Sequence, residues 1–386
     1  MKILFLDQTA ELGGGELSML SEVMHLSHEC VVFLFEDGPL RALLNNAAVP
    51  VTVAENPFGA IAVKKGSGFI AAMLSAPAVF SLVLEVARQA RRFDLVYANS
   101  QKALMVGALA SLLARRPLVW HLHDILDAAH FSASMRRLAV RVGNWRATRI
   151  IVNSRATGEA FSRLGGDASR ISLGYQGIDE APFAAVSPDE ITRLRAELAP
   201  DGRPLIGVFG RLSAWKGQSV FIEAIANLER VVGVIVGGPL FGEEAYAAAL
   251  KEKVTRLGMN DRVRFLGFRH DIPALMRSMD VIVHSSVAPE PFGRVVVEAM
   301  LAGKPVVASG AGGIFEIIEN GRTGWLYAPG DAKALADTLN EVLNNHAQTA
   351  AVAAAGQAHA RDNFSLAAAI RQVDAALQQV KNPASA

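Results

Sequence analysis

A chain of 386 residues exceeds what one hydrophobic core comfortably serves, so two domains are the starting expectation. With 51% hydrophobic and 19% charged residues it can bury large cores and is not a disordered polymer, and a formal charge of +1 gives no global argument for nucleic acid. The single cysteine, Cys30, excludes an internal disulfide and any multi-cysteine metal site, and points to a reducing compartment.

The opening run Met1 to Asp7 holds too short an apolar stretch for a signal peptide and fits a first buried strand, so secretion is not expected. Strand-like runs then alternate with helical ones at Ile3 to Leu6, Val31 to Phe35, Val51 to Ala54, Leu95 to Ala98, Leu118 to Leu122, Arg149 to Val152 and Ile171 to Leu173. That alternation predicts a parallel sheet covered on both faces. Phe69 to Leu84 carries no charge, yet Ser75, Pro77 and Ser81 interrupt it and its length is at the short limit for a spanning helix, so it is read as not spanning. A second series follows at Leu205 to Phe209, Val231 to Val236, Val263 to Leu266, Val281 to His284, Pro305 to Ala308 and Gly324 to Tyr327. The fold class is therefore α/β, with two Rossmann-like parallel-sheet domains expected over 1–180 and 181–360 and a terminal helical segment over 361–386. The alanine-rich tract Ala347 to Ala360 reads as helix.

Four motifs carry chemistry. Gly13, Gly14 and Gly15 lie between the first strand and a helix expected to begin near Glu16; they allow close approach of a ligand to the backbone, or form an ordinary turn. His121 and His123 share one side of a strand, and His123, nearer its carboxyl end and directly before Asp124, is preferred for positioning a ligand while His121 packs within the sheet. Arg211 and Lys216, in Gly210-Arg211-Leu212-Ser213-Ala214-Trp215-Lys216-Gly217, sit beyond a buried strand, at the sheet edge where open α/β folds bind ligands. Arginine grips phosphate in bidentate fashion and lysine adds a mobile point charge.

Last comes Glu290-Pro291-Phe292-Gly293-Arg294-Val295-Val296-Val297-Glu298. The spacing puts Glu290 in a loop and Glu298 about one and a half turns into the following helix, so both can face a ligand at the helix N-terminus. Gly293 admits an anion to the backbone there. Carboxylates repel phosphate but accept from vicinal hydroxyls, so a sugar nucleotide satisfies both halves of the pattern. Rival motifs fail: Ser18 stands where a dinucleotide fingerprint needs its third glycine, and neither glycine cluster near 210 or 237 meets the P-loop pattern.

Taken in order, Gly13-Gly14-Gly15-Glu16, His123-Asp124, Gly174-Tyr175-Gln176-Gly177-Ile178-Asp179, Gly210-Arg211 with Lys216-Gly217, and the paired glutamates make the chain resemble the retaining glycosyltransferases of family 4 across nearly its whole length. The resemblance implies the GT-B fold, two Rossmann-like domains facing across a cleft, with a last helix around Leu366 to Val380 returning to the first domain. It implies hexose transfer from a nucleoside-diphosphate sugar to a saccharide or lipid-linked saccharide, in cell-surface polysaccharide or glycolipid synthesis. On that reading His123, Arg211, Lys216 and Glu290 are catalytic. Gly14, Gly15, Arg211, Lys216, Glu290, Phe292, Gly293 and Glu298 bind the donor, with Glu298 on the ribose hydroxyls and the Phe292 and Gly293 backbone supporting sugar or phosphate. Gln176 replaces a frequent asparagine, a departure read as affecting only the local turn. No Asp-x-Asp pair occurs, so no metal and no other cofactor are expected. A sugar-nucleotide epimerase of the same fold and a noncatalytic sugar-nucleotide-binding protein stay open as alternatives.

Charge is uneven along the chain. Between Arg88 and Arg170 stand fourteen basic and five acidic side chains, with Arg136, Arg137, Arg141, Arg146 and Arg149 prominent. A basic face beside the apolar Phe69 to Leu84 run suits an anionic membrane surface or a lipid-linked diphosphate; a solvated face beside a core helix is the plainer alternative. The expected location is cytoplasmic, with peripheral membrane attachment at the inner face as an open question.

Overall fold

Short runs of valine, isoleucine, leucine and phenylalanine bury both faces of a strand, and that is how this chain uses them. The computed structural model describes residues 1–55, 69–239 and 242–381. It contains two compact units, Met1–Gly177 with the chain from Leu366 onward, and Ile178–Ser365. In the first unit the strands are β1 (Lys2–Asp7), β2 (Glu29–Leu34), β3 (Val51–Val53), β4 (Leu95–Ala98), β5 (Leu118–Leu122), β6 (Ala147–Val152) and β7 (Ile171–Leu173). In the second they are β8 (Leu205–Phe209), β9 (Val232–Val236), β10 (Val263–Gly267), β11 (Val281–His284), β12 (Val306–Ser309) and β13 (Trp325–Tyr327). Every expected strand is present, with ends displaced by at most two residues.

All strand pairings are parallel, in the orders β3-β2-β1-β4-β5-β6-β7 and β10-β9-β8-β11-β12-β13. Alternation sorts the side chains. Leu4 and Leu6 join Phe33, Val96 and Trp120 in one core layer, while Ile3 and Phe5 join Val32, Tyr97 and Val119 in the other. The helix Leu366–Lys381 belongs to this first unit: Val373, Ala376 and Leu377 enter the second layer, and Gln372 Oε1 accepts the Tyr175 N–H at 2.9 Å. Residues 382–386, the end of the expected 361–386 segment, lie outside the described residues.

Of the Phe69 to Leu84 run, helix Phe69–Ala90 is described, but side chains only from Pro77 onward, so Phe69 to Ala76 lie outside the described side chains. Among the described residues no helix is long and apolar enough to cross a membrane. The first helix begins at Gly14 rather than near Glu16, because Gly13 caps it and Glu16 reaches back to accept the Gly13 N–H at 3.1 Å.

Both sheets reverse winding direction beside a central strand, between β1 and β4 and again between β8 and β11. At such a point successive crossovers diverge and leave a crevice at the carboxyl ends of the strands. The turn after β8 is fastened there. Ser285 Oγ donates to the Lys216 carbonyl at 2.9 Å, and the Val287 N–H donates to the Trp215 carbonyl at 2.8 Å. Gly217, at φ +68°, lies so close that a Cβ would land on the Ser285 carbonyl oxygen. Gly202 has a similar φ of +72° but open space around it. Gly202→Ala should therefore cost only backbone strain, on the order of 1 kcal/mol, whereas Gly217→Ala should destabilise the protein several-fold more in urea unfolding; equal losses would contradict this packing.

Candidate active site

The carboxyl ends of β8 and β11, neighbours across the second winding reversal, carry a part-buried ion pair. Lys216 Nζ donates to Glu290 Oε1 at 2.9 Å and Oε2 at 2.8 Å, although 74 residues separate them. Glu290 Oε2 also receives Ser286 Oγ–H at 2.9 Å and His284 Nε2–H at 3.1 Å. A carboxylate only accepts, so His284 carries its proton on Nε2, and in its neutral form Nδ1 accepts from Ser309 Oγ at 3.3 Å. Burial alone would raise the Glu290 pKa, but the Lys216 ammonium and the His284 hydrogen bond outweigh it and hold the carboxyl well below the usual range. Lys216 in turn lies over the Trp215 ring, 4.1 Å from its centroid.

The loop that delivers Glu290 is set by glycines. Glu290 bridges to Gly312, and its carbonyl accepts the Gly313 N–H at 2.8 Å. Gly293, at φ +113°, caps helix Arg294–Leu301, and a Cβ there would meet Ile314 Cδ1 at 2.5 Å. Phe292 is buried with its ring 5.7 Å from that of Phe364, so only its backbone can meet a ligand. Glu298 is paired with Arg294 along the same helix, Nη2 to Oε1 at 3.5 Å, and Arg294 Nη1 has no hydrogen-bond partner among the described residues. Arg211 stands two residues beyond β8, its carbonyl accepting from Gln218 Nε2 at 2.9 Å.

The first unit gathers a second polar cluster at the ends of β1, β4 and β5. Asp7 Oδ2 accepts from Asn99 Nδ2 at 2.6 Å, which leaves Asn99 Oδ1 to accept from His123 Nε2–H at 2.8 Å. His123 Nδ1 is then an acceptor, met by Gln176 Nε2 at 3.2 Å. Gln176 thus does more than shape a turn, as the sequence had implied; it orients the imidazole. Gly15 leaves just enough room, since a Cβ would stand 3.2 Å from His123 Cδ2. Gly14 is the first residue of the adjoining helix. Behind His123 the His121 ring stacks at 3.9 Å, wholly buried and bonded to Tyr97 Oη at 2.8 Å, as its place within the sheet required.

Structure therefore joins Lys216 to Glu290, and His123 to Gly15, but ties Glu298 to Arg294. Sequence reasoning missed His284, Ser286, Ser309, Asn99 and Asp7. A polar residue closing an apolar strand was the available signal for His284 and Asp7.

Comparison with known proteins bears on what such a site serves. Residues 190–359 match the model for glycosyl transferases group 1, and residues 17–174 match the glycosyl transferase 4-like domain. A D-inositol 3-phosphate glycosyltransferase of Salinispora tropica is 30% identical over 73% of this chain, which spans 63% of that relative's length. A 2-deoxystreptamine glucosyltransferase of Streptomyces kanamyceticus is 31% identical over 68% of this chain and 70% of its own. The crystal structure of Anabaena HepE in complex with UDP-glucose superposes with a TM-score of 0.88 at 43% identity, covering 98% of this chain and 100% of that one.

Two raised carboxyls make the first unit sensitive to pH. Burial, partly offset by Asn99, lifts Asp7 to about 6; burial, then Asp7 and Asp124, lift Glu16 to about 7. Their ordinary values are 3.8 and 4.5, so the folded chain keeps protons that the unfolded chain has released, and stability falls as pH rises through this window. Glu16→Gln should raise the thermal midpoint relative to wild type at pH 8 and change it little at pH 5. The same shift at both pH values would contradict the assignment.

Proposed function

The chain belongs to the group 1 glycosyltransferases and has their GT-B fold, and from that premise we propose that it transfers a hexose from UDP-glucose, or a closely related nucleoside-diphosphate sugar, to a saccharide or lipid-linked saccharide. The observation that carries the reading is the Lys216–Glu290 pair at the winding reversal. A diphosphate leaving a sugar carbon takes the bonding electron pair and so gains one negative charge, which a fixed cation stabilises, and Lys216 lies beyond the end of β8, on the sheet edge where open α/β folds bind ligands. Glu290 holds three partners on Oε2 and one on Oε1, so Oε1 retains acceptor capacity for a sugar hydroxyl.

The remaining residues take roles that follow from their positions. Arg211 adds a second cation beyond β8, and the Phe292 and Gly293 backbone at the helix N-terminus supports the sugar or phosphate. Glu298, one and a half turns along that helix, accepts from ribose hydroxyls, exchanging its partly exposed partner Arg294 for the ligand. His123, held at both nitrogens, positions the donor sugar, and Gly15 leaves room for its ring. Retention of configuration and transfer without a metal belong to the same proposal. They rest on the family pattern and on the cationic groups at the β8 end.

Lys216→Ala should lower nucleoside diphosphate release from UDP-glucose by about 100-fold or more, the scale of losing one preorganised charge at a departing oxyanion, while circular dichroism shows a folded chain. Near-normal turnover would overturn the role of Lys216. Product analysis with and without a saccharide acceptor separates transfer from epimerisation, and donor binding without turnover would mark a noncatalytic protein.

A further inference from the structure

The helix Ala133–Arg146 turns one side to the core and leaves an unusual side in water. Ala139, Val140 and Gly143 are buried, with Gly143 so close to Trp120 that a Cβ would stand 3.1 Å from its ring. At about 3.6 residues per turn, Met135, Leu138 and Trp145 fall in one outward stripe, and Leu138 and Trp145 are 52% and 55% exposed. Arg137 and Arg141, both exposed, flank that stripe. Arg146 is not part of this face, contrary to the sequence reading: its guanidinium donates to Ser111 Oγ at 3.0 Å and to the Arg116 carbonyl at 3.2 Å. Arg149 is likewise engaged, donating to the Ser169 carbonyl at 2.8 Å.

Those Arg146 bonds clamp the neighbouring helix Gln101–Ala114 alongside, and it too exposes apolar side chains, Leu109, Leu112 and Leu113. Two adjoining helices therefore both expose large apolar side chains, six in all.

Charge decides the occupant. The two helices carry five basic residues, Lys102, Arg136, Arg137, Arg141 and Arg146, and no carboxylate, and Lys102, Arg137 and Arg141 are exposed. Exposed apolar side chains edged by guanidinium groups, with a tryptophan among them, match the interface of an anionic bilayer, where aromatic and aliphatic side chains enter the acyl boundary and arginines meet headgroup phosphates. We infer that the paired helices Gln101–Ala114 and Ala133–Arg146 form a docking surface for an anionic lipid membrane. The inference stands on this unit alone and does not depend on the sugar nucleotide proposed for the other.

Co-sedimentation of the full chain with phosphatidylcholine vesicles, with and without about 30% phosphatidylglycerol, tests it. Wild type should partition onto the anionic vesicles at least about 10-fold more strongly than onto neutral ones, and the advantage should shrink as salt rises. Arg137→Glu with Arg141→Glu, and separately Leu112→Ser with Leu138→Ser, should each lower anionic-vesicle binding about 10-fold or more, with the thermal midpoint and UDP-glucose turnover little changed. Charge-reversed protein that binds like wild type would overturn the inference, as would wild type that ignores anionic vesicles at low salt. Sedimentation velocity supplies a further arm: a dimer abolished by Leu112→Ser with Leu138→Ser would assign the surface to a second copy instead.

Discussion

A carboxylate with less than a tenth of its surface in water remains ionised only where fixed positive charge and hydrogen-bond donors surround it. Glu290 meets that condition through Lys216, His284 and Ser286, and each of these comes from the carboxyl edge of the second sheet. The pair constrains much around it. The β8 turn must bring a lysine back over the edge, which demands Gly217 where any side chain would strike Ser285. The loop after β11 must turn the glutamate inward, which demands Gly312 and Gly313 against its backbone.

The two polar clusters use different physics. In the second unit, charge is concentrated: an ammonium and a carboxylate share two short contacts, suited to a ligand that brings its own diphosphate charge and hydroxyl donors. In the first, Asp7 and Glu16 are pushed towards neutrality by burial, and side-chain amides hold the His123 imidazole at both nitrogens. Such a site orients by hydrogen bonding rather than by field. A histidine engaged at both nitrogens has little freedom to trade protons, which is why positioning is the role assigned to His123.

Much of the fold was legible because parallel strands buried on both faces are written as unbroken apolar runs; Leu205 to Phe209 and Leu118 to Leu122 coincide with β8 and β5. Lys216 and Glu290 were legible as residue types suited to a diphosphate and a sugar, and the family pattern put them together. What stayed hidden were partners contributed by other strands. Asn99 lies 92 residues from Asp7, and Gln176 lies 53 from His123, so no local spacing ties them. Glu298 shows the converse: its spacing from Glu290 was plain, but the Arg294 contact one turn back was not weighed. Arg146 looked like surface charge in a list of arginines, and only packing reveals that it joins two helices.

The central claim is that Glu290 reads the sugar and Lys216 the diphosphate of one bound molecule. Calorimetric titration of UDP and of UDP-glucose into wild type and Glu290→Gln tests it most directly, because only UDP-glucose brings the hexose while both bring the diphosphate. The account predicts that the substitution weakens UDP-glucose by about 10-fold or more, the scale of a charge-assisted hydrogen bond, and leaves UDP within about 3-fold of wild type. Equal losses for both ligands, or none for either, would contradict it.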